Sequence, residues 1–372
     1  MKRILQNSGW LEHSMTEAFE YNSLPSRVVF GYDTLKSVVD EAHKLGMHRP
    51  LVLTTPGSAN KGALIANMFG ERCAGLYSKA QMHTPVEITE HALENFFNLK
   101  ADGTVAIGGG STIGLGKALA LQTDCPQIVI PTTYAGSEMT PYLGQTKAGV
   151  KTTLTSMKVL PETVIYDVSL TFSLSAHLSA ASGLNAIAHA VEALYARGTN
   201  PVVRLMAVEG ISTLYRALPQ IVADAENKDG RSGALYGAWL CSSVQGQVPT
   251  ALHHKLCHAI GGAFDLPHAD THANILPHVV AYNSRAAAPA IELLGGALGA
   301  SDPAKALFAL NQELKIQTSL QDLGMPEHGI EVIVSETMNK PYWNPRPMNR
   351  IAIEKLLRRA WSGEHPQFDD DQ

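Results

Sequence analysis

The sequence predicts an α/β domain with a parallel sheet, followed by an all-helical domain. In the first half, short runs of branched apolar residues alternate with amphipathic segments, which is typical of strands joined by crossover helices. After about Phe172 these runs stop, and segments rich in Ala and Leu follow with helical spacing. We therefore expect an α/β domain over residues 15–171 and an α-helical domain over residues 172–372.

The first half contains four strand-like runs, in which β-branched residues are frequent. These predicted strands are 27–31, 51–55, 103–107 and 128–131. Amphipathic spacing predicts helices between them. These predicted helices are 34–45, 58–70, 87–98 and 112–122. We also predict a hairpin within 143–167, whose strands 152–155 and 163–166 lie on either side of Pro161. The crossover connections predict a parallel sheet that is covered on both faces.

The second half has helical spacing throughout and contains no internal repeat or low-complexity linker. The predicted helices are 176–195, 201–218, 233–245, 252–262 and 304–314. Because the boundary near 168–172 is short, we expect the two domains to pack closely. The cleft between them is then the expected place for a ligand.

Composition excludes several classes of protein. With 45% hydrophobic and 17% charged residues, the chain has the profile of a globular protein. A net charge of −5 argues against a nucleic-acid partner, and the lack of a long apolar stretch argues against a membrane span. Residues 1–14 differ from the rest, and we expect a disordered extension or tag there. The four widely spaced cysteines are typical of free thiols in a cytoplasmic protein.

A glycine-rich loop follows the predicted strand 103–107 and opens the next helix. Glycines there let a phosphate approach the backbone, and the helix N-terminus offers free N–H groups. A second small, polar loop follows the strand 128–131, and both loops are expected at the same edge of the sheet. A tight turn without a ligand is the alternative, but two such loops favour a dinucleotide. The residues predicted to bind it are Gly108, Gly109, Gly110, Ser111, Thr132, Thr133 and Ser137.

The end of the strand 51–55 carries no acidic residue. Folds that bind NAD commonly place a carboxylate near such a position, where it holds the ribose 2′-hydroxyl. Here Thr55 takes that place, so nothing repels the 2′-phosphate of NADPH. We therefore predict NADH as the cofactor, with NADPH also accepted.

Histidines are concentrated in the second half. Five of the 15 in the chain fall between positions 253 and 272, and residues four apart share a face of a helix. Upstream, Asn185 and His189 are also four apart. Neutral imidazoles suit several transition metals, although any single histidine is more often a core residue. A metal site would favour a carboxylate where Asn185 stands.

These motifs, in this order, resemble the iron-containing (group III) alcohol dehydrogenase superfamily over residues 20–365, with its dehydroquinate synthase-like fold. The matching segments are 108–111, 131–138, 183–192 and 254–268. The resemblance implies a metal held at Asn185, His189, His254 and His268, a histidine near the nicotinamide at His258, and a lysine near the cofactor ribose at Lys151. An ordinary hairpin charge is the alternative for Lys151.

The departures from this pattern are Asn185, Gly114 and Ala269, where the superfamily has Asp, Asp and Gly. With the segments 253–258 and 344–347, the chain resembles the maleylacetate reductase branch, which is associated with metal-independent activity. From this resemblance we expect that no metal is required. The expected catalytic residues are His189, His254, His258 and His268. The expected substrate-binding residues are Asn185, His253 and Arg346.

That branch reduces maleylacetate, a small enone with two carboxylates, to 3-oxoadipate in the degradation of aromatic compounds. Hydride added to the carbon β to the ketone gives an enolate, which needs a stabiliser and a proton donor. Histidines can provide both. The resemblance also leads us to expect a homodimer. Two alternatives remain open: a metal-dependent alcohol or aldehyde dehydrogenase of the same superfamily, and a dinucleotide-binding protein without catalysis.

Overall fold

A computed structural model describes residues 18–24, 26–340 and 342–370. The predicted extension 1–14 lies outside these residues. Six parallel strands form the main sheet in the order β1-β8-β5-β4-β2-β3, and β6 pairs with β7 in a separate antiparallel hairpin. The strands are β1 (Arg27–Gly31), β2 (Pro50–Leu53), β3 (Gly75–Tyr77), β4 (Gly103–Gly108), β5 (Gln127–Pro131), β6 (Tyr142–Lys147), β7 (Val150–Thr155) and β8 (Thr163–Asp167).

Helices cover both faces of the main sheet. They are α1 (Val38–Lys44), α2 (Ala59–Phe69), α3 (Val86–Asn98) and α4 (Gly110–Thr123). Successive strand residues point to opposite faces. Thus Val52 of β2 packs with Val38 and Ile65 on one side, and Leu53 packs with Phe96 on the other. The predicted parallel sheet with two covered faces is confirmed.

The predicted hairpin is wrong in its second strand. Residues 163–167 form β8, which lies between β1 and β5 in the parallel sheet, and the partner of β7 is β6. All five residues of β8 are buried, whereas residues 152–154 are exposed. A run that buries both faces suits the middle of a parallel sheet. The short edge strand β3 was missed, because three residues give little periodic signal.

The described residues from Ala176 onward form helices joined by loops, without a strand. They are α5 (Ala176–Tyr195), α6 (Pro201–Ala223), α7 (Lys228–Gln245), α8 (Leu252–Phe264), α9 (His268–Asn283), α10 (Ala288–Leu298), α11 (Pro303–Glu313), α12 (Gly329–Asn339) and α13 (Arg350–Ser362). The sequence signals for the start of a helix are clear in two of these helices. The Ser175 side chain accepts from Leu178 N, and Asn200 caps α6 before Pro201, as N-cap preferences predict.

An α/β part followed by a helical part is therefore the observed fold class, as predicted. The boundary at 171/172 stays a prediction. Gly136, in the loop after β5, has φ +90°, and a Cβ there would lie 2.6 Å from Ser242 Oγ of α7. This close approach, which only glycine allows, packs the loop against the helical part. No helix in the described part of the chain is both long and apolar enough to span a membrane.

Candidate active site

Three helices bring six histidines together. His189 comes from α5, His253, His254 and His258 come from α8, and His268 and His272 come from α9. His272 lies at the centre of this group, which we call the histidine cluster. The distances from its ring centroid to the others are 4.3 Å to His268, 4.9 Å to His253, 5.0 Å to His254, 6.3 Å to His189 and 6.4 Å to His258.

The histidine cluster has a buried part and an exposed part. His189, His253, His254 and His272 are buried, whereas His258 and His268 are exposed. The His189 and His254 rings stack at 4.7 Å between centroids. The four histidines predicted to be catalytic therefore do share one site, with two of them buried and two in contact with solvent.

Glu192 organises the buried part. Its carboxylate accepts hydrogen bonds from the backbone N–H of Ala251 and of His253, each at 2.7 Å. These groups lie at the N-terminus of α8, where backbone N–H groups lack partners within the helix. Oε2 of Glu192 also lies 2.7 Å from His254 Nδ1. Sequence reasoning did not assign Glu192 to the site, although it ends the segment 183–192 that carries His189.

Five buried polar atoms around the cluster have no hydrogen-bond partner in the described residues. They are Asn185 Oδ1, His189 Nδ1, His253 Nδ1, His254 Nε2 and His272 Nε2. Leaving buried polar atoms unpaired is unfavourable and rare in folded proteins. Imidazole nitrogens with an amide oxygen form a donor set that suits a divalent transition metal. These residues therefore offer the donor types that a metal ion needs. Among the described residues, three ligand atoms of His, Cys, Asp or Glu come within 4.8 Å of one another only at His253, Cys257 and His272.

Burial governs the protonation of the inner histidines. It lowers the pKa of His189, His253 and His272 well below the ordinary value, and neighbouring imidazoles lower each further. Neutral rings offer lone pairs, which metal binding requires. Burial also raises the pKa of the Cys257 thiol well above its usual range.

His253 was predicted to bind substrate. It has 0% exposure, and its Nε2 lies 3.0 Å from His272 Nδ1. This burial and this contact favour a positioning role over direct contact with substrate, and the substrate-binding call stays a prediction. Asn185 is also buried, at 4% exposure, but its unpartnered Oδ1 is the atom that a ligand in the cluster would meet.

Arg346 was also predicted to bind substrate, but the structure gives it a structural position. Its guanidinium donates to the backbone carbonyls of Tyr282 and Asp369. It also lies over the rings of Tyr282 and Phe368, at 4.3 and 4.6 Å from their centroids. These contacts hold the C-terminal segment on α9.

The two loops predicted to bind a dinucleotide are neighbours. Thr132 N donates to Gly108 O at 3.0 Å, because β4 and β5 pair in parallel and end together. A Cβ on Gly109 would lie 3.2 Å from Thr133. Gly110 and Ser111 start α4, and Ser137 lies in a short 3₁₀ turn. The free N–H groups at the start of α4 thus lie at the carboxyl edge of the sheet, where phosphates bind.

Buried Lys117 of α4 fixes the second loop. Its ammonium donates to the backbone carbonyls of Ser137, Thr140 and Tyr142. Burial lowers the pKa of Lys117 to about 7. Sequence reasoning missed this residue, since a lysine within an amphipathic helix is usually solvated.

The remaining predicted cofactor residues are Thr55 and Lys151. Thr55 follows β2, which pairs with β4, so it lies at the same edge of the sheet as Gly108. Lys151 belongs to β7, and its side chain lies outside the described residues. Both assignments stay predictions.

A cavity opens beside His258. It has a volume of about 370 Å³, and its lining includes Lys255, Lys340 and Tyr342 as well as Glu336. Lys255 lies one helical turn before Ala259 on α8, so the cavity borders the exposed part of the histidine cluster. Two ammonium groups beside an imidazole can bind carboxylates.

Both halves of the chain match models of one protein family. A family model described as iron-containing alcohol dehydrogenase matches residues 25–168, and one for the C-terminal part of the Fe-containing alcohol dehydrogenase family matches residues 179–361. A maleylacetate reductase of Sphingobium indicum is 50% identical over 348 residues, covering 94% of this chain and 99% of that protein.

Solved structures agree with these matches. The crystal structure of maleylacetate reductase from Agrobacterium tumefaciens has a TM-score of 0.92 and 47% identity, and it covers 94% of this chain and 100% of that one. An iron-containing alcohol dehydrogenase from Corynebacterium glutamicum has a TM-score of 0.89 and 38% identity, covering 96% of this chain and 99% of that one.

These matches overturn one expectation. We expected that no metal is required, because Asn185 replaces a carboxylate. Both halves of the chain match models of an iron-containing family, which implies a bound metal. The unpartnered imidazole and amide atoms of the histidine cluster agree with this correction. The absence of a carboxylate at Asn185 therefore does not exclude a bound metal.

Proposed function

Because the chain belongs to the iron-containing alcohol dehydrogenase family, we propose that it reduces the carbon–carbon double bond of maleylacetate to give 3-oxoadipate. Like its relatives, it is an NAD(P)H-dependent oxidoreductase, and those relatives support a reduction in aromatic catabolism. This excludes a non-catalytic binding protein. The choice of substrate rests on the 50% identity to a maleylacetate reductase over 94% of the chain.

The reaction has two steps. Hydride leaves C4 of the reduced nicotinamide and forms a C–H bond at the carbon β to the ketone. The π pair of the carbon–carbon double bond moves to the bond between the adjacent carbon and the carbonyl carbon, and the carbonyl π pair moves to the oxygen. This forms an enolate, while the cofactor becomes NAD(P)⁺. A proton then adds to the adjacent carbon and restores the ketone. Catalysis therefore requires a positive or hydrogen-bonding environment at the oxygen and a proton donor near that carbon.

The position of His258 supports a role as proton donor. Its ring is exposed and lies 6.0 Å from that of His254. An exposed imidazole can take a proton from solvent and pass it from a ring nitrogen to a substrate in the cleft. His268 is also exposed, at the start of α9. Its ring stacks with that of His258 at 6.4 Å.

The family's metal fits the same cluster. His189, His254 and His268, with Asn185, are the residues that would hold it, and Glu192 would fix the ring of His254. When bound, a divalent ion supplies a positive charge opposite the developing enolate oxygen. The residues of the chain keep the inner site dry, since His189 and His254 are 6% and 2% exposed. Electrostatic attraction is stronger where water is excluded.

The carboxylates of the substrate match the cavity beside His258. Lys255 and Lys340 line it, and each offers an ammonium group to an anion. A simple aldehyde has no group for them to bind. This favours a dicarboxylate substrate over the alcohols and aldehydes of the wider family. The relatives named maleylacetate reductase are also more similar to this chain than the Corynebacterium glutamicum protein is.

The cofactor is proposed to lie along the carboxyl edge of the sheet. The pyrophosphate would meet the N-terminus of α4 at Gly109 and Gly110, and the ribose of the adenosine would lie near Thr55. Use of both NADH and NADPH follows from the neutral side chain of Thr55. The homodimeric state and the cytoplasmic location stay predictions, and light scattering tests the first of them.

An isotope experiment tests the proposed hydride transfer. The full-length enzyme is incubated with maleylacetate and NADH that carries deuterium at the transferred position of C4. We expect 3-oxoadipate with one deuterium on the carbon that was β to the ketone in the substrate. Deuterium on the carbon that bears the oxygen, with an alcohol as product, would show carbonyl reduction and contradict the proposal.

A further inference from the structure

Lys117 is a buried cation whose hydrogen bonds all lie in one loop. Its side chain has 0% exposure, and its Nζ donates to the backbone carbonyls of Ser137, Thr140 and Tyr142. An ammonium group has three N–H donors, and these three carbonyls match them. The charged form of Lys117 therefore holds the chain between β5 and β6 at three points.

The stability of the fold does not explain this charge. Burial lowers the pKa of Lys117 to about 7, and the negative charge of Glu138 offsets this only in part. The folded chain therefore holds the ammonium less readily than water does, and folding alone would favour an apolar side chain here. Buried groups that are perturbed in this way are concentrated at functional sites.

Helix α4 contributes to both loops of the proposed cofactor site. It begins at Gly110, in the glycine loop, and Lys117 lies about two turns further along it. The loop that Lys117 binds carries Thr133 and Ser137, and a Cβ on Gly109 would lie 3.2 Å from Thr133. The side chain of Lys117 therefore fixes the second loop relative to the N-terminus of α4, where the pyrophosphate is expected.

We propose that Lys117 is a positioning residue for the nicotinamide cofactor, because its ammonium holds the loop after β5 in the conformation that receives the pyrophosphate beside the glycine loop. It acts through the backbone carbonyls of that loop, since its own side chain has no exposed surface. The inference rests on the cofactor of the proposed function but not on the identity of the substrate. It predicts an effect on cofactor affinity and little effect on turnover once the cofactor is bound.

NADH binding to the full-length protein tests this. Lys117→Met keeps the length of the side chain but removes the charge and all three donors. We expect the dissociation constant for NADH, measured by quenching of tryptophan fluorescence, to rise about 10- to 100-fold. At saturating NADH, kcat for maleylacetate should stay close to the wild-type value, whereas a general loss of structure would lower kcat as well.

Lys158→Met is the matched control. Lys158 is an exposed lysine that pairs with Asp124 at the C-terminal end of α4, so its loss should leave the dissociation constant for NADH unchanged. A folded Lys117→Met variant with wild-type affinity for NADH would overturn the inference. Equal losses of affinity in the two variants, or a wild type that does not bind NADH, would also overturn it.

A measurement on the wild type alone covers the case in which Lys117→Met fails to fold. Hydrogen–deuterium exchange is followed with and without NADH, and we expect NADH to slow exchange in the segments 108–117 and 131–142 together. Slower exchange in 108–117 alone would overturn the inference, because Lys117 acts through the second loop. The binding and exchange results need no substrate, so they remain valid if the isotope experiment on maleylacetate fails.

Discussion

Nδ1 of His254 lies 2.7 Å from Oε2 of Glu192, and these side chains are only 3% and 1% exposed. The carboxylate accepts a hydrogen bond from the Nδ1–H group, which leaves the lone pair of Nε2 facing the cluster. The same carboxylate binds two backbone N–H groups at the N-terminus of α8. One buried charge therefore both starts the helix and orients the ring that it carries.

Glu192→Gln should impair both metal binding and turnover. The amide keeps the shape of the side chain but loses its charge. Its NH₂ group would also face an N–H donor that the carboxylate now accepts from, so that hydrogen bond would be lost. We expect metal affinity and kcat to fall about 10- to 100-fold and the free energy of unfolding to fall by about 1–3 kcal/mol. Calorimetry, steady-state kinetics and urea unfolding measure these changes. Exposed Glu209 on α6 provides the control Glu209→Gln, and equal behaviour of the two variants would contradict the role of Glu192.

Gly109→Val should abolish tight cofactor binding. The new side chain would meet Thr133, which is already 3.2 Å from the position of a Cβ, and would occupy the approach to the N-terminus of α4. Tryptophan fluorescence quenching by NADH measures the dissociation constant. We expect it to rise more than tenfold, while Gly296→Ala, in open space on α10, leaves it unchanged. Normal NADH affinity in folded Gly109→Val would remove the glycine loop from the cofactor site.

Lys255→Gln should weaken substrate binding selectively. Removing one partly exposed ammonium from the cavity beside His258 costs at most about 1 kcal/mol, which corresponds to roughly a fivefold rise in KM for maleylacetate. The KM for NADH should not change. Lys305→Gln, on α11 and paired with Asp302, is the control and should alter neither value. A KM for maleylacetate that is the same in Lys255→Gln and wild type would exclude this lysine as a carboxylate ligand.

His278 should make the protein less stable in acid. Burial, with a contribution from Arg359, lowers its pKa to about 3, whereas an unfolded histidine binds a proton below about pH 6.5. Between these values the unfolded chain binds more protons, so the free energy of unfolding falls as the pH falls from about 6.5 toward 3. The slope for one such group is about 1.4 kcal/mol per pH unit.

Urea unfolding between pH 7 and pH 5 measures this dependence. His278→Asn should be less stable at pH 7 but should lose less stability on acidification than the wild type. His43→Asn, a substitution of an exposed histidine on α1, should keep the wild-type slope. An unchanged slope in His278→Asn would contradict the assignment of this effect to His278.

The sequence predicted most elements because their signals are local. Helix α5 has the predicted bounds 176–195, and its start follows from the cap at Ser175. Helix α9 was not predicted, since Pro277 and four polar residues near its start interrupt the apolar period. The position of 163–167 was also missed, because the order of strands depends on pairing with the distant β1, which local periodicity does not record.

The candidate site was also predicted only in part, because some of its contacts join residues that are distant in the sequence. The spacing of His254, His258 and His268 identified the cluster, and these residues do lie together. The role of Glu192 depends on contacts with α8. Glu192 lies 62 positions before His254, so its contact requires the packing of two helices. The metal was misjudged because Asn185 was weighed alone, without the unpaired nitrogens that surround it.

Steady-state oxidation of NADH by the purified full-length protein, with maleylacetate as substrate, tests the central claim most directly. The same assay with propanal, and with propanol and NAD⁺ in reverse, represents the alcohol dehydrogenases of the family. We predict a kcat/KM for maleylacetate that exceeds the value for propanal by at least two orders of magnitude, with 3-oxoadipate as the product. Efficient turnover of propanal or propanol, with none of maleylacetate, would contradict the account.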